Sequence, residues 1–236
     1  MTRIRAGVIS FPGSNGDHDA LHALEHDLGL SVRRVDYRET NLDEFDAIVL
    51  PGGFAYGDAL RCGAIARFSP VMAPLRAFAE EGRPVLGICN GFQVLCEAHL
   101  LPGALLRNRT LNFHCFWTHM RIEQSNTSWT AGLANADVLR LPVAHGEGSY
   151  YVEDGQLADL EREGQVVARY CSPDGTVNEC ANPNGSVASI AAICNVRRNV
   201  VGLMPHPERA TNSLIGGSDG LRFLGGILET ALTAAT

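Results

Sequence analysis

Apolar residues in this chain fall into short runs separated by stretches of helical spacing. Residues 6–10, 31–35, 47–50, 85–88 and 200–204 read as short buried β-strands, the last three of them compact apolar runs. Between the first two, Ala20, Leu21, Leu24 and Leu28 recur at helical spacing and mark one face of a helix. Residues 70–81, 154–163 and 219–230 predict three more helices. Strands alternating with helices imply right-handed crossovers, so the expected fold is α/β, a mainly parallel sheet with helices on both faces. The middle of the chain reads differently. Segments 113–124, 149–152 and 165–170 lack long helices between them and are expected as antiparallel additions to the sheet. No internal repeat, low-complexity tract or linker interrupts the pattern, so residues 1–236 are read as one domain.

Composition narrows the class. With 236 residues, 45% of them hydrophobic, the chain can bury one substantial core. A formal net charge of −7 gives no reason to expect nucleic acid or an anionic membrane as partner. The apolar run after Thr2-Arg3-Ile4-Arg5 stops at Pro12, too soon for a signal-peptide core, and a cytoplasmic location is expected. Seven cysteines form an odd set with no regular framework, which suits free thiols in a reducing compartment. Cys62, Cys96, Cys115, Cys171, Cys180 and Cys194 are read as structural.

Cys89 stands apart. In Gly87-Ile88-Cys89-Asn90-Gly91 an apolar strand turns sharply into a helix, with small residues on either side of the bend. This is the form of a nucleophile elbow with cysteine in place of serine. A helix N-terminus there would stabilise negative charge developing at the reacting centre. The competing reading is a buried cysteine at an ordinary strand-to-helix turn. Near the C-terminus a strand runs into Pro205-His206-Pro207-Glu208-Arg209. A thiol needs a base, and the base needs an acceptor that fixes its tautomer. In an extended segment His206 and Glu208 would point to the same side. A third strand ends in Pro51-Gly52-Gly53, where backbone amides are free, and Gly53 N–H with Asn90 N–H is the expected oxyanion hole. Taken alone, such a Gly-Gly is also an ordinary turn. Gly52-Gly53-Phe54-Ala55-Tyr56-Gly57 is not a phosphate loop, because Asp58 stands where lysine is required. His145 and Glu147 lack a third ligand at suitable spacing, so no metal is expected.

Together these segments resemble the class I, triad-type glutamine amidotransferases, and within them the glutaminase subunits of phosphoribosylformylglycinamidine synthase. The resemblance extends through Pro12-Gly13-Ser14-Asn15, the run from Pro51 to Arg67, Pro142-Val143-Ala144-His145-Gly146-Glu147-Gly148 and Asn182-Pro183-Asn184-Gly185-Ser186. It implies a flavodoxin-like sheet and glutamine hydrolysis by Cys89, His206 and Glu208 through a thioester, with Gly52 and Gln93 contacting substrate. Gln93 could equally be a helix-surface residue. The resemblance also implies partners: a large synthetase subunit carrying ATP and Mg2+, and a small accessory subunit, while this chain holds no cofactor. It further suggests that the oxyanion hole stays incomplete until docking moves the Gly52-Gly53 loop. Two positions depart from the family pattern, Gly16 where many relatives carry cysteine and Phe116 where arginine is common. A stand-alone γ-glutamyl hydrolase and a non-catalytic regulatory subunit are the alternatives. The first would be fully active without a partner, and the intact Cys89, His206 and Glu208 argue against the second.

Overall fold

The computed structural model describes residues 3–234. Its strands are β1 (Arg5–Ser10), β2 (Ser31–Asp36), β3 (Ala47–Leu50), β4 (Val85–Ile88), β5 (Ala104–Leu106), β6 (His114–Ile122), β7 (Val138–His145), β8 (Ser149–Tyr151), β9 (Val166–Cys171), β10 (Ile190–Cys194) and β11 (Val200–Leu203). Nine of them form one sheet in the order β2-β1-β3-β4-β11-β10-β9-β6-β7. From β2 to β11 the pairing is parallel, and from β11 outward to β7 it is antiparallel. The strands β3, β4, β10 and β11 are buried along their whole length, as their unbroken apolar runs require.

The helices are α1 (Asp17–His22), α2 (Met72–Glu80), α3 (Asn90–Glu97), α4 (Asp154–Arg162), α5 (Asp219–Leu224) and α6 (Gly226–Ala234). Ala20 and Leu24 are buried on the predicted face, but α1 passes into a π-turn over Ala23–Asp27. The expected helix over 219–230 is divided at Gly225. Gly226 lies so close to the Trp129 carbonyl that a Cβ there would meet its oxygen at 2.4 Å, so the chain bends to seat against that segment.

Two corrections concern the middle of the chain. Segment 149–152 does not join the main sheet: β8 pairs with β5 in a separate two-stranded ribbon. Tyr150 holds it there, stacked on Phe92 of α3 at 5.8 Å, with its hydroxyl donating to the Pro102 carbonyl. The antiparallel half is also wider than the pattern suggests, because β7 and β10 belong to it. Pro142 lies inside β7, and an edge strand tolerates proline because one side of its backbone faces away from the ladder.

The placement of β11 determines where the chemistry gathers. It lies beside β4 in register, with Gly202 opposite Gly87 and Leu203 opposite Ile88, while Leu50 of β3 pairs with Gly87 from the other side. The C-terminal ends of β3, β4 and β11 are therefore neighbours, and ligands of such sheets bind at those ends. Among the described residues no helix is long and apolar enough to cross a membrane.

Candidate active site

Cys89 follows β4 directly and holds φ 49° and ψ −104°, a backbone conformation that a non-glycine residue adopts only under constraint. The constraint is packing at Gly91, the second residue of α3, where a Cβ would lie 2.0 Å from the Leu50 carbonyl oxygen. The helix can begin this close to β3 only because that side chain is absent. The Cys89 amide donates to Leu203 O at 2.8 Å, tying the elbow to the end of β11, and its thiol lies 3.8 Å from the Ala144 carbonyl.

His206 leaves the end of β11, and its amide donates to Pro142 O of β7 at 2.8 Å. Its Nδ1 donates to Glu208 Oε1 at 2.6 Å, with the two side chains 2% and 1% exposed. The segment is not extended as expected. Pro207–Arg209 forms a 3₁₀ turn with proline at its first position, and the turn rather than strand alternation brings the carboxylate to the imidazole. Burial disfavours the imidazolium, but the Glu208 charge and the neighbouring Cys89 outweigh it, so the imidazole is held above its ordinary range. A hydrogen bond to Glu208 through Nδ1 leaves Nε2, which has no partner among the described residues, as the atom free for proton transfer. Arg209 donates to Asp19 at 2.9 Å and lies 3.7 Å from Glu208 Oε1.

Gly52 lies between the two. A Cβ there would sit 2.8 Å from His206 Cε1 and 3.7 Å from Cys89 Cβ. Neither the Gly53 nor the Asn90 amide donates to any other group among the described residues. The Gly52 carbonyl, in contrast, accepts from Asn15 N at 3.3 Å and Gly16 N at 3.0 Å. Moving this peptide would break both bonds, which tells against a loop waiting for a partner to reorient it.

Cys89, His206 and Gly53 line one cavity of about 290 Å³ with Asn15, Asp58, Cys62, Gln93, His145, Glu147 and Arg209. Gln93 is not a surface residue. It is buried on α3, accepts from Asn90 Nδ2 at 2.9 Å and donates to the Glu147 carbonyl at 2.6 Å. Burial pushes the Cys62 thiol up, and the Glu147 and Asp58 carboxylates beside it push the same way, so it is a neutral thiol. All seven cysteines are free. Phe116 is half-exposed against His114 and does not line the cavity. Among the described residues no cluster of three or more His, Cys, Asp or Glu could hold a metal ion.

Behind the cavity lies a polar network that local sequence patterns do not reveal. Asn184 Nδ2 donates to His145 Nε2 at 3.1 Å and to Gly148 O at 2.8 Å, while Asn184 Oδ1 accepts from Ser186. The motif from Asn182 to Ser186 was the available signal, but its partners are 36 and 39 residues away. Burial, with the charges of His206 and His114, pushes His145 down to about 3. A folded-state value below the unfolded one costs stability as pH falls, because the unfolded chain then binds the extra proton. Denaturant titrations are expected to show His145 removing about 1.4 kcal/mol per pH unit between its ordinary value and about 3. A His145→Gln chain whose acid limb was as steep as the parent's would contradict this.

Residues 3–216 match the family described as CobB/CobQ-like glutamine amidotransferase domain. The chain belongs to this family. It is 59% identical over 232 residues to phosphoribosylformylglycinamidine synthase subunit PurQ of Thermomicrobium roseum, covering 98% of each chain. It is 55% identical to the protein of the same name from Rubrobacter xylanophilus, over 98% of this chain and 99% of the relative. Among solved structures, a chain of PurLQS from Thermotoga maritima superposes with a TM-score of 0.87 at 41% identity, over 98% of this chain and 100% of that one. This glutamine amidotransferase domain thus has close relatives whose length it spans almost entirely.

Proposed function

We propose that this chain is the glutaminase subunit of a phosphoribosylformylglycinamidine synthase, releasing ammonia from glutamine for a synthetase subunit. The observation that carries the reading is the cavity at adjoining strand ends that an elbow cysteine, the imidazole of a buried His–Glu pair and Gly53 line together, with the unengaged Asn90 amide next to the cysteine in the chain. Cys89 Sγ attacks the side-chain carboxamide carbon of glutamine, and Gly53 N–H and Asn90 N–H receive the oxyanion. His206 Nε2 takes the thiol proton and passes it to the leaving nitrogen. The C–N bond breaks, ammonia departs, and a γ-glutamyl thioester stays on Cys89. Water deprotonated by His206 then attacks the thioester, releasing glutamate and restoring the thiol. Glu208 keeps the Nδ1 proton in place and balances the imidazolium charge during both steps.

The relatives' shared name and the PurLQS assembly support partner subunits for this chain, and the glutaminase reading takes them to be a large synthetase subunit with ATP and Mg2+ and a small accessory subunit. Ammonia in water at neutral pH is mostly protonated and unreactive, so transfer without release to bulk solvent is part of the reading. Gln93 is the side chain assigned to glutamine, and in the free chain its amide is already engaged by Glu147 O. The free chain is therefore expected to hydrolyse glutamine slowly. Adding the large and small subunits with acceptor substrate is expected to raise the rate ten-fold or more, equivalent to only about 1.4 kcal/mol of transition-state stabilisation. Steady-state glutaminase assays with and without partners measure this. A free chain already at full speed would point instead to a stand-alone γ-glutamyl hydrolase.

A further inference from the structure

The segment from Pro12 to Gly16 carries none of the triad, yet it forms a backbone lattice with the loop after β3. Gly52 O accepts from Asn15 N at 3.3 Å and Gly16 N at 3.0 Å, Phe54 N donates to Gly13 O at 2.9 Å, and Tyr56 N donates to Pro12 O at 2.6 Å. Ser14 and Gly53 form an antiparallel bridge. The approach is closer than side chains allow. A Cβ on Gly53 would sit 2.7 Å from Ser14 Cα, and one on Gly13, where φ is +93°, would sit 2.2 Å from Phe54 O. Phe11 N donates to Ser14 Oγ at 3.0 Å and Ser14 N donates to Phe11 O at 2.9 Å, so the segment braces itself.

In a planar trans peptide the C=O and the following N–H point in opposite directions. With Gly52 O turned toward Asn15 and Gly16, Gly53 N–H must point away from them. That N–H has no acceptor among the described residues, and Gly53 lines the cavity that holds Cys89. We propose that the Asn15 and Gly16 amides are positioning groups that fix the Gly52–Gly53 peptide with its N–H presented to the oxyanion before any partner binds. The proposal rests on the glutaminase reading above and deepens it. The hole is built in the free chain, and activation by a partner acts at another point of the site.

Gly16 is the place to test it, since its amide makes the shorter of the two bonds and begins α1. Gly16→Pro deletes that donor, whereas Gly16→Ala keeps it and adds a Cβ 3.2 Å from Gly52 N and O. In the reconstituted complex, Gly16→Pro is expected to lower glutaminase kcat by about ten- to hundred-fold with KM within about two-fold, the mark of an interaction made only in the transition state. Gly16→Ala is expected to lose less than about five-fold. Alkylation of Cys89 by iodoacetamide, which develops no oxyanion, should keep its rate in both variants. A raised KM with unchanged kcat, or an unchanged kcat in Gly16→Pro, overturns the proposal.

Should Gly16→Pro fail to fold, amide hydrogen exchange on the unsubstituted chain decides. Protection at Gly16 with rapid exchange at Gly53 supports the fixed peptide, and the reverse pattern overturns it. Glutaminase activity surviving in a Cys89→Ala chain would strike the underlying reading and leave the peptide geometry standing.

Discussion

Replacing Cys89 by alanine is expected to abolish glutamine-dependent amidation in the reconstituted complex while leaving ammonium-dependent amidation at the parental rate. The substitution removes the sulfur that would carry the γ-glutamyl group and touches nothing on the synthetase side. Steric disturbance is small, because alanine occupies the same φ 49° conformation without adding an atom and the neighbours that enforce the bend, Gly91 and the Leu50 carbonyl, stay in place. The remaining oxyanion donors bind a carboxamide but have no nucleophile to aim at it, so the loss should span several orders of magnitude. Paired assays with glutamine and with an ammonium salt give the answer. Appreciable glutaminase activity in the variant would show that another group attacks the carboxamide, whereas loss of both activities would point to failed assembly.

His206→Ala is expected to match the cysteine variant closely. Without the imidazole neither the thiol proton nor the proton for the departing nitrogen has a carrier, and the two residues act as a unit whose effects do not add. Glu208→Gln should retain about ten- to hundred-fold more activity than His206→Ala, because the ring remains and loses only the charge that holds its Nδ1 proton. The side chains are 2% and 1% exposed, so water cannot readily make up for the lost negative charge, and the pH–rate profile of Glu208→Gln should move to lower pH as the imidazolium loses its counter-charge. Equal losses in the two variants would mean that Glu208 does more than orient the base.

How much of this was legible beforehand depended on whether the constraint is local. The elbow at Cys89 is readable because a sharp bend between a buried strand and a helix demands small residues at 87 and 91, and those demands sit next to each other in the chain. The inner parallel strands β3, β4 and β11 are readable because burial on both faces leaves unbroken apolar runs, whereas β2, at the sheet edge, is mostly exposed and not the buried strand its reading predicts. The antiparallel half was harder. Pro142 disguises β7, and the Ile-Ala-Ala-Ile-Cys run of β10 offers no alternation. The ribbon position of β8 follows from Tyr150 stacking on Phe92, a tertiary contact with no sequence signature. His206 and Glu208 are legible by residue type, but their contact comes from a proline-initiated turn rather than from extended chain. Asn184 and its hold on His145 are not legible because the partners lie far apart in sequence.

The central position of β11 has a consequence for how the protein comes into being. The strand lies between β4 and β10, yet among the described residues it is the last strand in sequence. A nascent polypeptide emerging from the ribosome can pair β1, β2, β3 and β4 early, and it can build much of the antiparallel half, but the two halves of the sheet have no strand-to-strand junction until residues near 200 have been synthesised. Closing that seam requires contacts between distant parts of the chain, which are slow to form. The same strand delivers His206 to Cys89. Unfinished chains therefore carry Cys89 without His206, and the proposed site comes together only when the sheet has been joined through its middle.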